Sequence, residues 1–255
     1  MTIKYNLKKK LLTALTCGLM ISTVANADIA RAEMGVGTWM QTPTGTISYT
    51  DGSITGLDTS NENDQMQLYG WLLVKHPIPV LPNLRLEYVK TSYEGTATGT
   101  FGSFTFPISS KTKLDMSQID VIPYYNILDN TGWVTLDLGL NIKILDISYE
   151  ANGIDLVAQL PTDISIIAIP LGYIRARVEI PGTELGVESD LKYISYSTAK
   201  AYDARIKVDY TFDISPVIQP AIELGYRVQK FELDEDGLTI NTDYSGIYMG
   251  MMLRF

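Results

Sequence analysis

Long segments of this chain alternate, residue by residue, between apolar and polar side chains. In "WVTLDLGLNIKI" (residues 133–144), Val134, Leu136, Leu138, Leu140, Ile142 and Ile144 share one face, and Thr135, Asp137, Gly139, Asn141 and Lys143 share the other. "YDARIKVDYTF" sets Ala204, Ile206, Val208, Tyr210 and Phe212 against Asp203, Arg205, Lys207, Asp209 and Thr211. "IQPAIELGYRVQ" sets Ile218, Ile222, Leu224, Tyr226 and Val228 against Gln219, Glu223, Gly225, Arg227 and Gln229. A period of two marks β-strands with one apolar and one polar face. The pattern predicts ten strands, at roughly 33–41, 64–75, 84–94, 112–127, 133–149, 164–180, 185–196, 202–212, 217–231 and 239–255. With Pro123, Pro170 and Pro220 inside assigned strands, the same reading admits eight or twelve.

A soluble sandwich also alternates, so length has to decide. Most of these strands run to roughly 10–17 residues, against the usual five or six of globular proteins. A membrane barrel needs about 9–11 tilted residues per crossing, apolar outside and polar inside. The polar faces carry full charges of both signs, which suits an interior rather than lipid. Short turns, "HPIPVLPN" (76–83), "LDNTG" (128–132), "PGTE" (181–184) and "DISP" (213–216), alternate along the chain with longer polar segments at 42–63, 95–111, 150–162, 197–201 and 232–238. That alternation is expected of a closed antiparallel transmembrane β-barrel with short periplasmic turns and longer extracellular loops. An even strand count then returns both termini to the periplasmic side.

The ends of the chain add export. Lys4, Lys8, Lys9 and Lys10 precede an apolar run of 14 residues, "LLTALTCGLMISTV", and residues 25–27 read "ANA". That is the layout of a cleaved signal peptide over 1–27, too short for a spanning helix of about 20 residues. The remaining 28–255 reads as one barrel domain. Cys17, the only cysteine, lies within the signal, so the mature chain has no disulfide, thiol nucleophile or cysteine-based metal site. Without the four signal lysines, sixteen basic residues face 29 acidic ones, a balance of −13 that argues against a nucleic-acid partner. Mean hydropathy is +0.06, yet no later stretch approaches 18 consecutive apolar residues.

The last strand, "YSGIYMGMMLRF", alternates to its final residue, with Ile247, Met249, Met251, Leu253 and Phe255 on one face. It would close the barrel against the first strand. Met251, Leu253 and the terminal aromatic Phe255 resemble the C-terminal signal by which bacterial outer membrane proteins are recognised for assembly. "KHPIPVLPNLRLEY" (75–88), "YY…LDN…WVTLDLGL" (124–140), "ELGYR" (223–227) and this closing strand together resemble an uncharacterised family of proteobacterial outer membrane β-barrels. The resemblance covers most of the mature chain. It implies a Gram-negative outer membrane location, a bilayer and lipopolysaccharide environment and the outer membrane assembly machinery as partners, and it supplies no activity and no site residues.

Chemistry is sparse. The only histidine, His76, precedes Pro77 in a short turn, where it reads as a cap on backbone groups, so a His-based triad or zinc site has no second member. No spacing singles out a catalytic carboxylate pair, and no cofactor is expected; the chain reads as a non-enzyme. Expected inward residues include Arg85, Glu87, Asp137, Lys143, Glu188, Lys192, Arg205, Lys207, Asp209, Glu223 and Arg227, with Arg175 and Arg177 joining them because a mid-bilayer arginine costs about 2–4 kcal/mol. Two readings follow: an ion-paired, narrow lumen with a structural or surface-interaction role, or a small porin-like channel for ions or small solutes. Ten strands lie near the filled end of the barrel series, which favours the first. The acidic loops "DTSNEND" (58–64) and "ELDEDGL" (232–238) read as a solvated surface, with divalent cations bridging to lipopolysaccharide as the sharper alternative; "DEDG" lacks the ligand spacing of a calcium loop. Tyr210, Tyr226 and Tyr244 are expected to face outward as interfacial anchors.

Overall fold

A computed structural model describes residues 30–49, 54–58, 64–78, 80–101, 104–131, 133–156, 166–196, 199–215, 217–235 and 238–255. The predicted signal over 1–27 lies outside them. The strands are β1 (Arg31–Tyr49), β2 (Ile54–Asp58), β3 (Gln65–Lys75), β4 (Asn83–Phe101), β5 (Phe104–Thr131), β6 (Val134–Ala151), β7 (Ile154–Asp155), β8 (Ile166–Glu179), β9 (Leu185–Tyr196), β10 (Ala199–Thr211), β11 (Gln219–Glu235) and β12 (Leu238–Arg254). Ten of them are staves, each antiparallel to both neighbours, in the cyclic order β1, β3, β4, β5, β6, β8, β9, β10, β11, β12. β2 and β7 are short additions above the loop end.

The barrel closes where the pattern requires. β12 pairs with β1 from Glu33↔Arg254 through Tyr49↔Leu238, so the last strand is regular because both of its edges are bonded. At this seam Gly246 has no alternative: a Cβ there would sit 1.7 Å from the Met40 carbonyl oxygen. Its own carbonyl accepts a bond from Trp39 Nε1 at 3.2 Å.

The outer wall carries the apolar face of every stave. Leu140, Ile166, Ile206, Leu224, Met249 and Met251 are all exposed, and Met251 reaches 68%. A belt of this kind is the requirement for a lipid-facing surface. The chain enters and leaves at the end that carries the short connections, which is the periplasmic end in barrels of this plan. The structure also accommodates the prolines. Pro220 is the second residue of β11. Pro170 pairs with Ile142 on β6 and makes no rung to β9, whose ladder with β8 runs only from Gly172↔Tyr193 to Glu179↔Gly186. The β5–β6 rungs pass from Val121↔Ile142 to Tyr124↔Gly139, omitting Ile122 and Pro123.

Several staves are taller than the pattern predicts. β1 continues to Tyr49, and the β4–β5 hairpin rises to Phe101↔Phe104, through residues 42–49 and 95–111 that read as loop. Above the lipid the outward face no longer has to be apolar, so the alternation stops while the hydrogen-bonded ladder continues. Thr42, Thr44 and Thr46 suit such a ladder as well as Met34 or Val36 do below.

Candidate functional site: the barrel interior

Period two sends every second residue inward, and on the short-turn half those residues are charged. Eighteen ionisable side chains are buried inside the described barrel, nine basic (Arg85, Lys143, Arg175, Arg177, Lys192, Arg205, Lys207, Arg227, Arg254) and nine acidic (Glu33, Glu87, Asp120, Asp137, Glu188, Asp190, Asp203, Asp209, Glu223). All eleven inward residues named from the sequence lie in this set, as do Arg175 and Arg177. Glu33, Asp120, Asp190 and Arg254 were missed, and Asp203 was read as polar without being singled out. On β5 the inner face mixes Leu114, Met116 and Ile122 with Gln118 and Asp120, so parity alone gives no clean polar side.

The charges meet in hubs. At the short-turn end Asp209 receives Arg177 Nη1 at 2.5 Å and Arg254 Nη2 at 2.7 Å, while Glu33 pairs with Arg254 and Arg31. Glu188 gathers Arg175 at 2.7 Å, Arg85 at 3.3 Å, and Lys207 and Arg177 at 3.6 Å. Arg175 also holds Asp137 at 2.6 Å, which accepts from Asn126 at 2.5 Å. Glu223 binds Lys207 at 2.8 Å, the Tyr69 hydroxyl at 2.6 Å and Trp71 Nε1 at 3.1 Å. Higher up, Asp203 takes a bidentate grip from Arg227 at 2.9 and 2.6 Å, and Lys143 bridges Asp120 at 2.9 Å to Asp203 at 3.3 Å. Aromatic faces complete the packing: Trp71 lies between Arg85 at 5.1 Å and Lys207 at 4.6 Å, and Arg227 sits 5.2 Å from Trp39. Gly35 makes room for this, since a Cβ there would meet Trp71 Nε1 at 2.4 Å.

Some of these bonds cross the whole barrel. β4 and β10 are five staves apart in either direction, yet Glu87 Oε1 accepts from Arg205 Nη2 at 3.0 Å. β5 and β11 are opposed in the same way, and Gln118 and Gln229 exchange amide bonds at 3.0 and 2.9 Å. Lys192 of β9 reaches across to Glu87 and binds Asp120 at 2.9 Å. Side chains from opposite walls in direct contact fill the cross-section at these levels.

Above the glutamine pair the interior turns apolar. Tyr93, Leu114, Met116, Leu145, Phe231 and Tyr244 are buried there, packed with Ile147, Ile167, Ile194 and Ile240. Tyr244 therefore corrects the outward assignment. It is fully buried, because β12 holds one unbroken parity that puts Tyr244 on the same inner face as Tyr248 and Met252. Tyr210 and Tyr226 are exposed on the outer wall, 42% and 46%.

Outside, above the apolar belt, Asp115 accepts from Ser92 at 2.5 Å and lies 3.0 Å from Lys113 and 3.6 Å from Lys90. Burial pushes its carboxyl up, but the Ser92 hydroxyl and Lys113 hold it below the ordinary carboxylate range. Residues 59–63 and 236–237 of the acidic loops lie outside the described residues; among those described, no group of three or more metal-ligating side chains converges. His76 serves its turn. Its Nδ1 accepts from the Ile78 amide at 3.1 Å and its Nε2 lies 3.0 Å from the Pro82 carbonyl oxygen, while the His76 amide donates to Asn83 at 3.0 Å.

A closed antiparallel barrel with an apolar outer belt and a side-chain-filled, charge-balanced interior belongs in architecture with the outer membrane β-barrels. Comparison with a solved structure agrees on that fold. The structure is similar to the outer membrane protease OmpT from Escherichia coli, with a TM-score of 0.53 and 12% identity over 92% of this chain and 100% of that one. Weaker likenesses, at TM-scores of 0.39 and 0.33, join it to the translocator domain of the autotransporter NalP from Neisseria meningitidis (10% identity, 99% of this chain, 96% of that one) and to the toluene transporter TodX of P. putida (8% identity, 90% of each). No protein family matches the chain by sequence profile, and no curated protein matches it by sequence.

Proposed function

We propose that this chain is an integral protein of the Gram-negative outer membrane whose interior is a closed, electroneutral plug, and that its role is structural or surface-interacting, with no transport and no catalysis. The observation that carries this reading is the direct bonding of opposite walls, Glu87 to Arg205 and Gln118 to Gln229, through the middle of the barrel. A water-filled pore needs a free cross-section, and selection of ions by charged side chains uses rings of one sign. Nine positive charges against nine negative leave no excess of either sign. At 12% identity the likeness to the protease supports the fold alone.

The test is conductance of the refolded protein in planar bilayers, with heat-shifted gel mobility to show folding. A folded barrel giving no discrete steps is expected. Steps whose ion preference changes on charge reversal of Arg205 and Arg227 would establish the narrow channel instead.

A further inference from the structure

The short-turn end carries apolar side chains that neither the belt nor the interior uses. In the turn between β3 and β4, Ile78, Val80 and Leu81 are exposed at 53%, 80% and 53%. Turns in water favour Gly, Asn, Asp and Ser, and an apolar turn has to find another solvent. Its direction is fixed by Tyr125. Odd residues of β5 point outward, Tyr125 is 47% exposed on that outer wall, and its hydroxyl donates to the Val80 carbonyl at 2.9 Å. The turn is therefore folded back toward the lipid-facing side of β5, not across the barrel mouth. His76 braces it from within through Ile78 and Pro82. The β10–β11 connection shows the same habit: outward Phe212 packs edge-on against outward Tyr210 at 5.2 Å, and Ile214 beyond it is 76% exposed.

We propose that the β3–β4 turn is a phospholipid anchor, seated at the boundary between headgroups and acyl chains of the membrane leaflet on the short-turn side, with Ile78, Val80 and Leu81 in the apolar layer. The turn is continuous with the belt at Tyr125, so the occupant that already covers the belt covers the turn. Apolar side chains presented from a braced backbone at this depth act as interfacial anchors do. This rests on the membrane reading of the barrel, and the experiment separates the two.

In a Cys17→Ser background, single spin labels are placed at Val80→Cys, Leu81→Cys, Ile206→Cys on the mid-wall and Glu184→Cys on the exposed β8–β9 turn. The protein is refolded into phosphatidylcholine vesicles, folding is checked by heat-shifted mobility, and collision with oxygen is compared with collision with a water-soluble nickel chelate. Labels at 80 and 81 are expected to show an oxygen-to-nickel ratio several-fold above that at 184 and below that at 206. Tyr125→Phe, which leaves the wall intact, is expected to lower the ratio at 80. Nickel preference at 80 and 81 with oxygen preference at 206 would overturn the anchor alone. Poor collision with both reagents would place the turn against protein and overturn it too, and nickel preference at 206 would remove the membrane reading beneath it.

Discussion

Around Glu87 and Glu188 the barrel is filled by guanidinium, ammonium and carboxylate groups; a few rungs higher, around Leu145 and Phe231, it is filled by aliphatic and aromatic side chains. The two halves are packed by different physics. The lower half needs direction, because each buried charge must meet an opposite charge at hydrogen-bond distance or carry a large desolvation cost. The upper half needs only volume and shape. The lower half lies level with the lipid-facing belt, where a one-residue slip would turn its charges toward hydrocarbon. Directional pairing there fixes the register that the apolar half would tolerate more loosely.

The contrast can be broken from either side. The largest effect is expected from Glu87→Ala, which strips Arg85, Arg205 and Lys192 of a shared carboxylate and leaves buried positive charge uncompensated. A loss of about 3–5 kcal/mol is expected in denaturant unfolding of the refolded protein, with little dependence on salt because the group is shielded from solvent. Leu145→Ala, in the upper half, removes volume and no charge, and is expected to cost toward the lower end of the about 2–5 kcal/mol typical of such truncations. Conductance should stay absent in this variant, since the charged half beneath it is intact. The smallest effect belongs to the boundary. Gln118→Leu with Gln229→Leu removes both partners of a cross-barrel bond at once, and stability is expected to fall by about 1–2 kcal/mol, because neither amide is left alone while Lys143, Asp203 and Thr91 each lose one bond. The two single variants summed should cost clearly more than the pair, and a pair whose cost equals that sum would show that the glutamines do not interact.

Much of this was legible in the chain. The stave at 185–196 has the same bounds in the structure as in the pattern, and the closing strand announced its pairing with the first through Met249, Met251 and Phe255. What escaped has a common cause: alternation is visible only where the two faces meet different solvents. Threonine-rich 42–49 and the tall β4–β5 hairpin stand above the lipid, so their strands carry no apolar face. Along β5 the inner face mixes Leu114, Met116 and Ile122 with Gln118 and Asp120, which hid Asp120. Tyr244 was a different error. An aromatic residue was taken as an interfacial anchor by its type, when its even position with Tyr248 already placed it inside.

The bonds that cross the barrel have a consequence for how the molecule comes to exist. Glu87 and Arg205 lie 118 positions apart in the chain, Gln118 and Gln229 are separated by 111, and the seam bond from Trp39 to Gly246 spans 207. None of them can form within a hairpin, although neighbouring-stave pairs such as Arg175–Glu188, Lys207–Glu223 and Arg227–Asp203 can. The cross-barrel partners wait for each other until the sheet curls shut, and shed their water only then. A pathway ruled by such distant partners is slow and cooperative. The same arrangement makes the finished cylinder slow to open, because neither β4 nor β10 can leave without stranding charge on the far side.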